Sequence, residues 1–281
     1  MIKIIDCPRD AMQGWKPFIA TEKKIEFLNT LLQVGFDTLD FGSFVSAKAI
    51  PQLADTKDVL AKLNLTNTKL LSIVANTRGA EEAMVYDEIE YIGFPFSISE
   101  TFQLRNTNST IEQSLQTVEQ IQNLCISKNK KLVIYISMGF GNPYGDAYSP
   151  EIAANWVEKM NSIGIKIVAL SDTIGVSNQQ NISYLFKHLI PLYPSMEIGA
   201  HLHTTPDTWQ EKIEAAYESG CRRFDGALKG FGGCPMATDK LTGNMPTENM
   251  ISFFELKNIN LNINHEKLME AMMIANEIFV E

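Results

Sequence analysis

Lys131-Leu132-Val133-Ile134-Tyr135-Ile136-Ser137-Met138 is an apolar run rich in β-branched side chains. It is long enough for a buried strand and too short for a helix. Downstream, Ser149-Pro150 supplies an N-cap and a proline at the first helical position, and Gly164 supplies a stop. A second apolar run, 167–171, follows at once. Strand, helix, strand at this spacing is a βαβ unit, whose crossover makes the two strands parallel.

The same alternation extends in both directions. Upstream, strands are expected at 2–6, 38–41, 69–74 and 90–94. Helices are expected at 21–34, 51–63 and about 78–86, and a long helix opens on a Thr110/Gln113 capping box. In 21–34, Ile25, Leu28 and Leu32 share a face, and Gly35 ends the helix. Downstream, a helix runs to about residue 193, a strand covers 198–201, a helix ends at Gly220, and the last strand is 223–227. Eight strands separated by helical segments predict an α/β fold, a closed (β/α)8 TIM barrel, which runs to about 250 residues. An open doubly wound sheet is the alternative, weakened by the lack of a GxGxxG after the first strand. The chain reads as one catalytic barrel domain, 1–281, with about 245–281 forming appended C-terminal helices. Met269, Met272, Met273 and Ile274 are expected to pack one of these on the body or on a partner subunit.

The net charge of −9, with no basic stripe, argues against nucleic acid as a partner. No run approaches ~18 apolar residues, so no membrane span is expected. The first residues enter a strand with no signal-peptide pattern, so a cytoplasmic protein is expected. Cys7, Cys125, Cys221 and Cys234 are scattered without a CxxC pair, which suggests neither a zinc ribbon nor a disulfide scaffold.

The unusual polar residues fall at one kind of place. Arg9 and Asp10 follow the first strand, and Asp40 ends the second. Asp172 follows the sixth, His201 and His203 end the seventh, and Cys234 and Asn244 lie in the loop after the eighth. In a barrel these carboxyl ends share the active-site face. His201-x-His203 sets two imidazoles on one side of an extended segment. With Asp10 and Asn244 they make a site of two nitrogens and two oxygens, suited to octahedral Mg2+ or Mn2+, with Zn2+ as the alternative. Arg9 is suited to a carbonyl or developing enolate oxygen, or to an ion pair with Asp40 or Asp172. Gly230-Phe231-Gly232-Gly233-Cys234-Pro235 reads either as a loop delivering a thiol acid or as a tight turn with an inert thiol. Asp172 reads as an orienting carboxylate or as a helix cap, and Lys16, Lys48 and Arg105 as phosphate contacts or solvated cations. His188 and His265 read as surface residues, and Cys125 as a core residue.

Taken in order, Cys7-Pro8-Arg9-Asp10-Ala11-Met12-Gln13, Ser43-Phe44-Val45-Ser46-Ala47-Lys48 with Pro51-Gln52, Ser171-Asp172-Thr173-Ile174-Gly175, His201-Leu202-His203, and Gly230 to Pro235 with Thr242-Gly243-Asn244 resemble the 3-hydroxy-3-methylglutaryl-CoA lyases. These belong to the metal-dependent TIM-barrel lyase and synthase superfamily. The resemblance implies metal ligands Asp10, His201, His203 and Asn244, with Mg2+ or Mn2+ bound. It implies Arg9 on the thioester oxygen, Cys234 as the acid that protonates the acetyl-CoA enolate, and catalytic carboxylates at Asp40 and Asp172. Gln13, Lys16, Ser43 and Lys48 fall in motifs that bind substrate and CoA. An acyl-CoA substrate, a homodimer and a step in leucine degradation are also implied. The implied reaction is retro-Claisen cleavage to acetyl-CoA and acetoacetate, with Asp172 assisting removal of the hydroxyl proton. A related lyase or aldolase on another 3-hydroxy acyl-CoA or 2-oxo acid, a Claisen-condensing synthase, and a non-catalytic CoA- or metal-binding protein are the alternatives. The chain departs from the family pattern at Ile5 (a glutamate), Cys7 and Ala11 (glycines) and Thr204 (an aspartate). Asp6 does not replace the missing glutamate, because neighbouring strand residues face opposite sides.

Overall fold

The computed structural model describes residues 1–233 and 242–279. Eight parallel strands form a ring: β1 (Lys3–Asp6), β2 (Thr38–Ser43), β3 (Lys69–Ile73), β4 (Ile89–Ser97), β5 (Lys131–Ser137), β6 (Ile167–Asp172), β7 (Glu197–Thr204) and β8 (Arg223–Gly226). Each pairs with the next, and β8 pairs with β1 from Lys3↔Arg223 to Asp6↔Gly226, which closes the barrel. The helices are α1 (Pro8–Gln13), α2 (Thr21–Leu32), α3 (Thr56–Leu60), α4 (Thr77–Ala83), α5 (Glu100–Thr107), α6 (Ile111–Ser127), α7 (Pro150–Ser162), α8 (Gln179–Leu192), α9 (Trp209–Glu218), α10 (Thr247–Leu256) and α11 (His265–Ile278). A short strand, β9 (Gly243–Asn244), pairs antiparallel with β7.

Period-two alternation divides each strand between two environments. Leu71, Ile73, Tyr91, Val133, Tyr135, Ile167 and Ala169 form a cluster inside the barrel. Their neighbours Leu70, Ile92, Ile134 and Val168 join the larger core between strands and helices. The expected caps are present. Thr110 and Gln113 form a reciprocal box at the start of α6, and Ser149 accepts from the backbone of Ile152 ahead of α7.

Several elements differ from expectation, each for a local reason. The helix expected at 51–63 is a 3-10 turn, Pro51–Leu53, followed by α3. Gln52 is turned inward there: its amide nitrogen donates to Trp15 O and Pro17 O at 2.9 Å, and its oxygen accepts from Ile19 N at 2.9 Å. β2 continues to Ser43, so Asp40 lies within it rather than at its end. β4 passes through Pro95, in register with Tyr135, and reaches Ser97. Helices α1 and α5 were not expected. In α11, Ile274 is buried and Met272 packs against the core, but Met269 and Met273 are exposed. Past α11, the Phe279 ring lies 5.4 Å from Trp15 and 4.6 Å from Phe231, which joins the tail to two loops of the site-bearing face. Among the described residues, no helix is long and apolar enough to cross a membrane.

Asp6 turns away from the barrel interior and meets the start of α10. One carboxyl oxygen accepts from Thr247 Oγ1 at 2.6 Å, and the other has no partner among the described residues. Burial pushes its pKa from 3.8 up to about 7; the Thr247 bond opposes the rise, and Glu248 and Asp40 add to it. As pH climbs from about 4 to about 7, the unfolded carboxyl ionises while the folded one keeps its proton. Stability therefore falls across that window and levels off above it, a penalty on the order of a few kcal/mol. Asp6→Asn keeps an acceptor for Thr247 and removes the penalty. Thermal unfolding should show a larger gain at pH 8 than at pH 5, and a gain independent of pH would count against this account.

Candidate metal centre

At the carboxyl end of the barrel a cavity of about 430 Å3 opens, with Arg9, Asp10, Tyr135, His201 and His203 in its lining and Val45, Ile50, Ile73, Pro95 and Phe102 among its apolar walls. β7 runs through both histidines, so their rings face one side with centroids 5.5 Å apart. α1 begins directly after β1, and its turn brings residues 9, 10 and 13 together. Arg9 Nη1 donates to Asp10 Oδ1 and to Gln13 Oε1, both at 2.9 Å, and Gln13 Nε2 donates to Asp10 Oδ1 at 2.6 Å. One donor atom each from Asp10, His201 and His203 lies within 4.8 Å of the others, and all three residues are buried.

Asn244 arrives through β9, where it is the partner of His203. Its amide nitrogen donates to Asp10 Oδ2 at 2.8 Å and to Phe231 O at 2.9 Å. Both amide hydrogens are thereby used, and Oδ1 is the atom left for a cation. Gly232 packs against this corner with φ +90°, where a Cβ would lie 2.7 Å from Asp10 O and 2.9 Å from Asn244 Nδ2, so only glycine fits.

The ring orientations also suit a cation. His203 Nδ1 lies 3.1 Å from Thr173 O. A carbonyl only accepts, so Nδ1 carries the hydrogen and Nε2 presents a lone pair. His201 Nδ1 lies 3.3 Å from Asp225 Oδ2, the carboxylate–histidine pairing that fixes a ligand's tautomer. Burial, reinforced by the neighbouring His201, pulls His203 down to about 4, which keeps it neutral. Burial also pushes His201 down, but the bond to Asp225 and the charges of Asp225 and Asp10 outweigh it and raise the group. Burial would lift Asp10, yet Arg9 and the two histidines hold it below the usual carboxylate range. Two nitrogens and a carboxylate, buried and set to present lone pairs, fit a divalent cation.

These features coincide with a match of residues 1–274 to the HMGL-like family. The chain belongs to the HMGL-like family. It is 33% identical over 265 residues to a hydroxymethylglutaryl-CoA lyase of Bacillus subtilis (strain 168), covering 94% of this chain and 88% of that protein. It is 29% identical to the cytoplasmic 3-hydroxy-3-methylglutaryl-CoA lyase of Rattus norvegicus, covering 96% of this chain and 79% of that one. Among solved structures, the Bacillus subtilis HMG-CoA lyase superposes with a TM-score of 0.92 at 31% identity, over 98% of this chain and 93% of that chain. An HMG-CoA lyase from Acinetobacter baumannii, in complex with coenzyme A and 3-methylmalate, gives a TM-score of 0.92 at 29% identity, over 99% and 91%.

The remaining expected site residues of this HMGL-like barrel fall in different places. Asp40 is fully buried behind the cavity, accepting from Arg9 Nε at 3.0 Å and Nη2 at 2.5 Å. Burial lifts it to about 6, against the opposing Arg9, so it is a carboxylate at neutral pH. Burial lowers Arg9, and Asp40 and Asp10 together more than reverse this. Asp172 does not join the cavity lining; Ser177 and Lys212 hold its carboxylate on the outer side of the strand end. Ser43 is also not brought to the main cavity: its hydroxyl is spent on Ile73 O and Val45 N, bracing the turn after β2. Lys16 and Lys48 are exposed, outside the cavity lining. Cys234 lies outside the described residues.

Sequence reasoning missed Asp225 and Tyr135. The Tyr135 ring stands edge-on to His201 at 5.4 Å, and its hydroxyl is buried with no partner among the described residues. The available signal for Asp225 was two charges, Arg223 and Asp225, spaced by two in a fully buried strand. Asp225→Asn should weaken Mn2+ binding about 10–100-fold, by loosening control of the His201 tautomer. Isothermal titration calorimetry reads this directly, and an unchanged isotherm would remove Asp225 from the centre.

Proposed function

We propose that this chain is a carbon–carbon lyase that cleaves 3-hydroxy-3-methylglutaryl-CoA to acetyl-CoA and acetoacetate. One observation carries the reading: Arg9 adjoins the buried Asp10/His201/His203 set on the floor of a cavity large enough for an acyl group. The names of the relatives support this substrate, and the coenzyme A held by one solved relative supports the thioester. Asp10, His201 and His203, with Asn244 Oδ1, would hold Mg2+ or Mn2+, with Zn2+ the less favoured ion. Such an ion supplies Lewis-acid polarisation of substrate oxygens.

The residues of the chain divide the remaining work. In the reaction the C3 hydroxyl gives its proton to a solvent-derived base and C3 becomes the ketone of acetoacetate. The electron pair of the C2–C3 bond passes into the thioester as an enolate, and protonation of that carbon completes acetyl-CoA. Arg9 stabilises the enolate oxygen. A guanidinium has five N–H donors. Asp40 takes Nε and one hydrogen of Nη2, and Asp10 and Gln13 take Nη1. The second Nη2 hydrogen has no partner among the described residues and is the donor for substrate. Asp40 keeps the guanidinium charged and fixed, so the donor is already oriented when charge develops. Cys234 is the proposed acid for the enolate carbon, and solvent returns a proton to it after turnover, so the proton count closes. The apolar walls exclude water from that carbanion-like centre.

The deciding assay is incubation with 3-hydroxy-3-methylglutaryl-CoA and Mn2+ or Mg2+, reading acetoacetate. Arg9→Met should lower kcat by about 10²–10³ while Mn2+ still binds. Cys234→Ser should also lower turnover sharply, and unaffected cleavage would rule out the thiol as the acid. Protein that binds Mn2+ but releases no acetoacetate would overturn the substrate assignment, and a panel of other 3-hydroxy acyl-CoAs would then identify the acyl group.

A further inference from the structure

Lys212 sits on the inner side of α9 with only 1% of its surface exposed. Its ammonium has three hydrogens, and each has an acceptor. One goes to Asp172 Oδ2 at 2.7 Å, one to His203 O at 2.9 Å, and one to Gly175 O at 3.0 Å. These acceptors lie at the end of β6, at the end of β7 and in the turn after β6. Asp172 is bound on its other sides by Ser177, through Oγ at 2.5 Å and through the backbone nitrogen at 3.1 Å.

The arrangement bears on His203 from two directions. Lys212 grips the backbone carbonyl of His203 itself. It also holds Asp172 and Gly175, which flank Thr173, and Thr173 O is the acceptor that orients the His203 ring. We infer that Lys212 is a positioning residue of the metal centre, which sets the His203 backbone and its orienting carbonyl so that Nε2 faces Asp10 and His201. The inference rests on the metal-centre reading above. It favours the orienting reading of Asp172 over the proton-removing one: its carboxylate is an anchor for Lys212 and for the Thr173 segment, turned away from the cavity. A lysine that only neutralised Asp172 would need one contact with the carboxylate. Two of the three contacts here are to main-chain carbonyls, one of them on a ligand residue.

The test separates charge balance from positioning. The double variant Asp172→Asn with Lys212→Met has no buried charge at this place and nearly the original volume. Thermal unfolding should remain a single cooperative transition, lowered by the loss of a donor to the two buried carbonyls. Its Mn2+ dissociation constant, read by electron paramagnetic resonance, should rise about 10–100-fold. Asp172→Asn alone keeps the ammonium on His203 O and Gly175 O, and should hold Mn2+ within a few-fold of wild type. Wild-type Mn2+ affinity in the double variant would overturn the proposal. So would a loss of affinity in Asp172→Asn as large as that of the double variant, since the effect would then belong to the carboxylate. A wild-type protein that binds no Mn2+ at all would instead refute the metal-centre reading itself.

Discussion

Arg9 lies buried between Asp10 and Asp40, and the chemistry of this end of the barrel depends on that arrangement. Removing a guanidinium from water is costly, and two carboxylates at hydrogen-bonding distance offset the cost. Two negative charges against one positive leave the floor of the cavity with an excess of negative charge. A low-dielectric site attracts a cation to such an excess, and the neutral His203 and the oriented His201 lie beside it to complete the coordination. The same triad orients the guanidinium. Asp40 approaches from β2 and Asp10 from α1, so Arg9 cannot rotate away without leaving a buried carboxylate unpaired.

Barrel architecture was readable because it rests on a repeated signal. Apolar runs such as 131–138 alternate with helices that carry N-caps and glycine stops, and eight repeats admit few arrangements. The departures are elements too short or too irregular to show a period. α1 spans six residues and α5 eight, both below the length at which a 3.6-residue repeat can be recognised. Pro95 reads as a strand breaker, yet β4 carries it in register with β5. The helix expected at 51–63 is split where Gln52 spends its side chain on the backbone of residues 15–19, a long-range demand that local propensity cannot reveal.

The site divides along a similar line. The convergence of Asp10, His201, His203 and Asn244 was readable from strand-end position and spacing, and the family resemblance pointed to the same four residues. Asp225, Tyr135 and Lys212 were not. Tyr135 and Asp225 lie in buried strands and Lys212 in a helix whose charged residues read as surface, so the meaning of each depends on which face points inward and on what lies opposite. Asp172 shows the converse. Its place at a strand end matched the pattern, but Lys212 and Ser177 provide a stronger environment on the other side of the strand. Position along a barrel strand tells which end a residue occupies and leaves open which way it turns.

The bond between Asn244 and Asp10 joins residues 234 positions apart in the chain. It lies where β1 meets β8, the pairing that turns a row of strands into a ring. Asp10 belongs to the first strand's side of that junction, while Asn244, His201 and His203 belong to the far side. A cation shared by these residues is therefore a fastener across the seam of the barrel as well as a reagent. Occupancy of the centre and protection of β1 and β8 backbone amides from hydrogen exchange are then linked quantities, each strengthening the other.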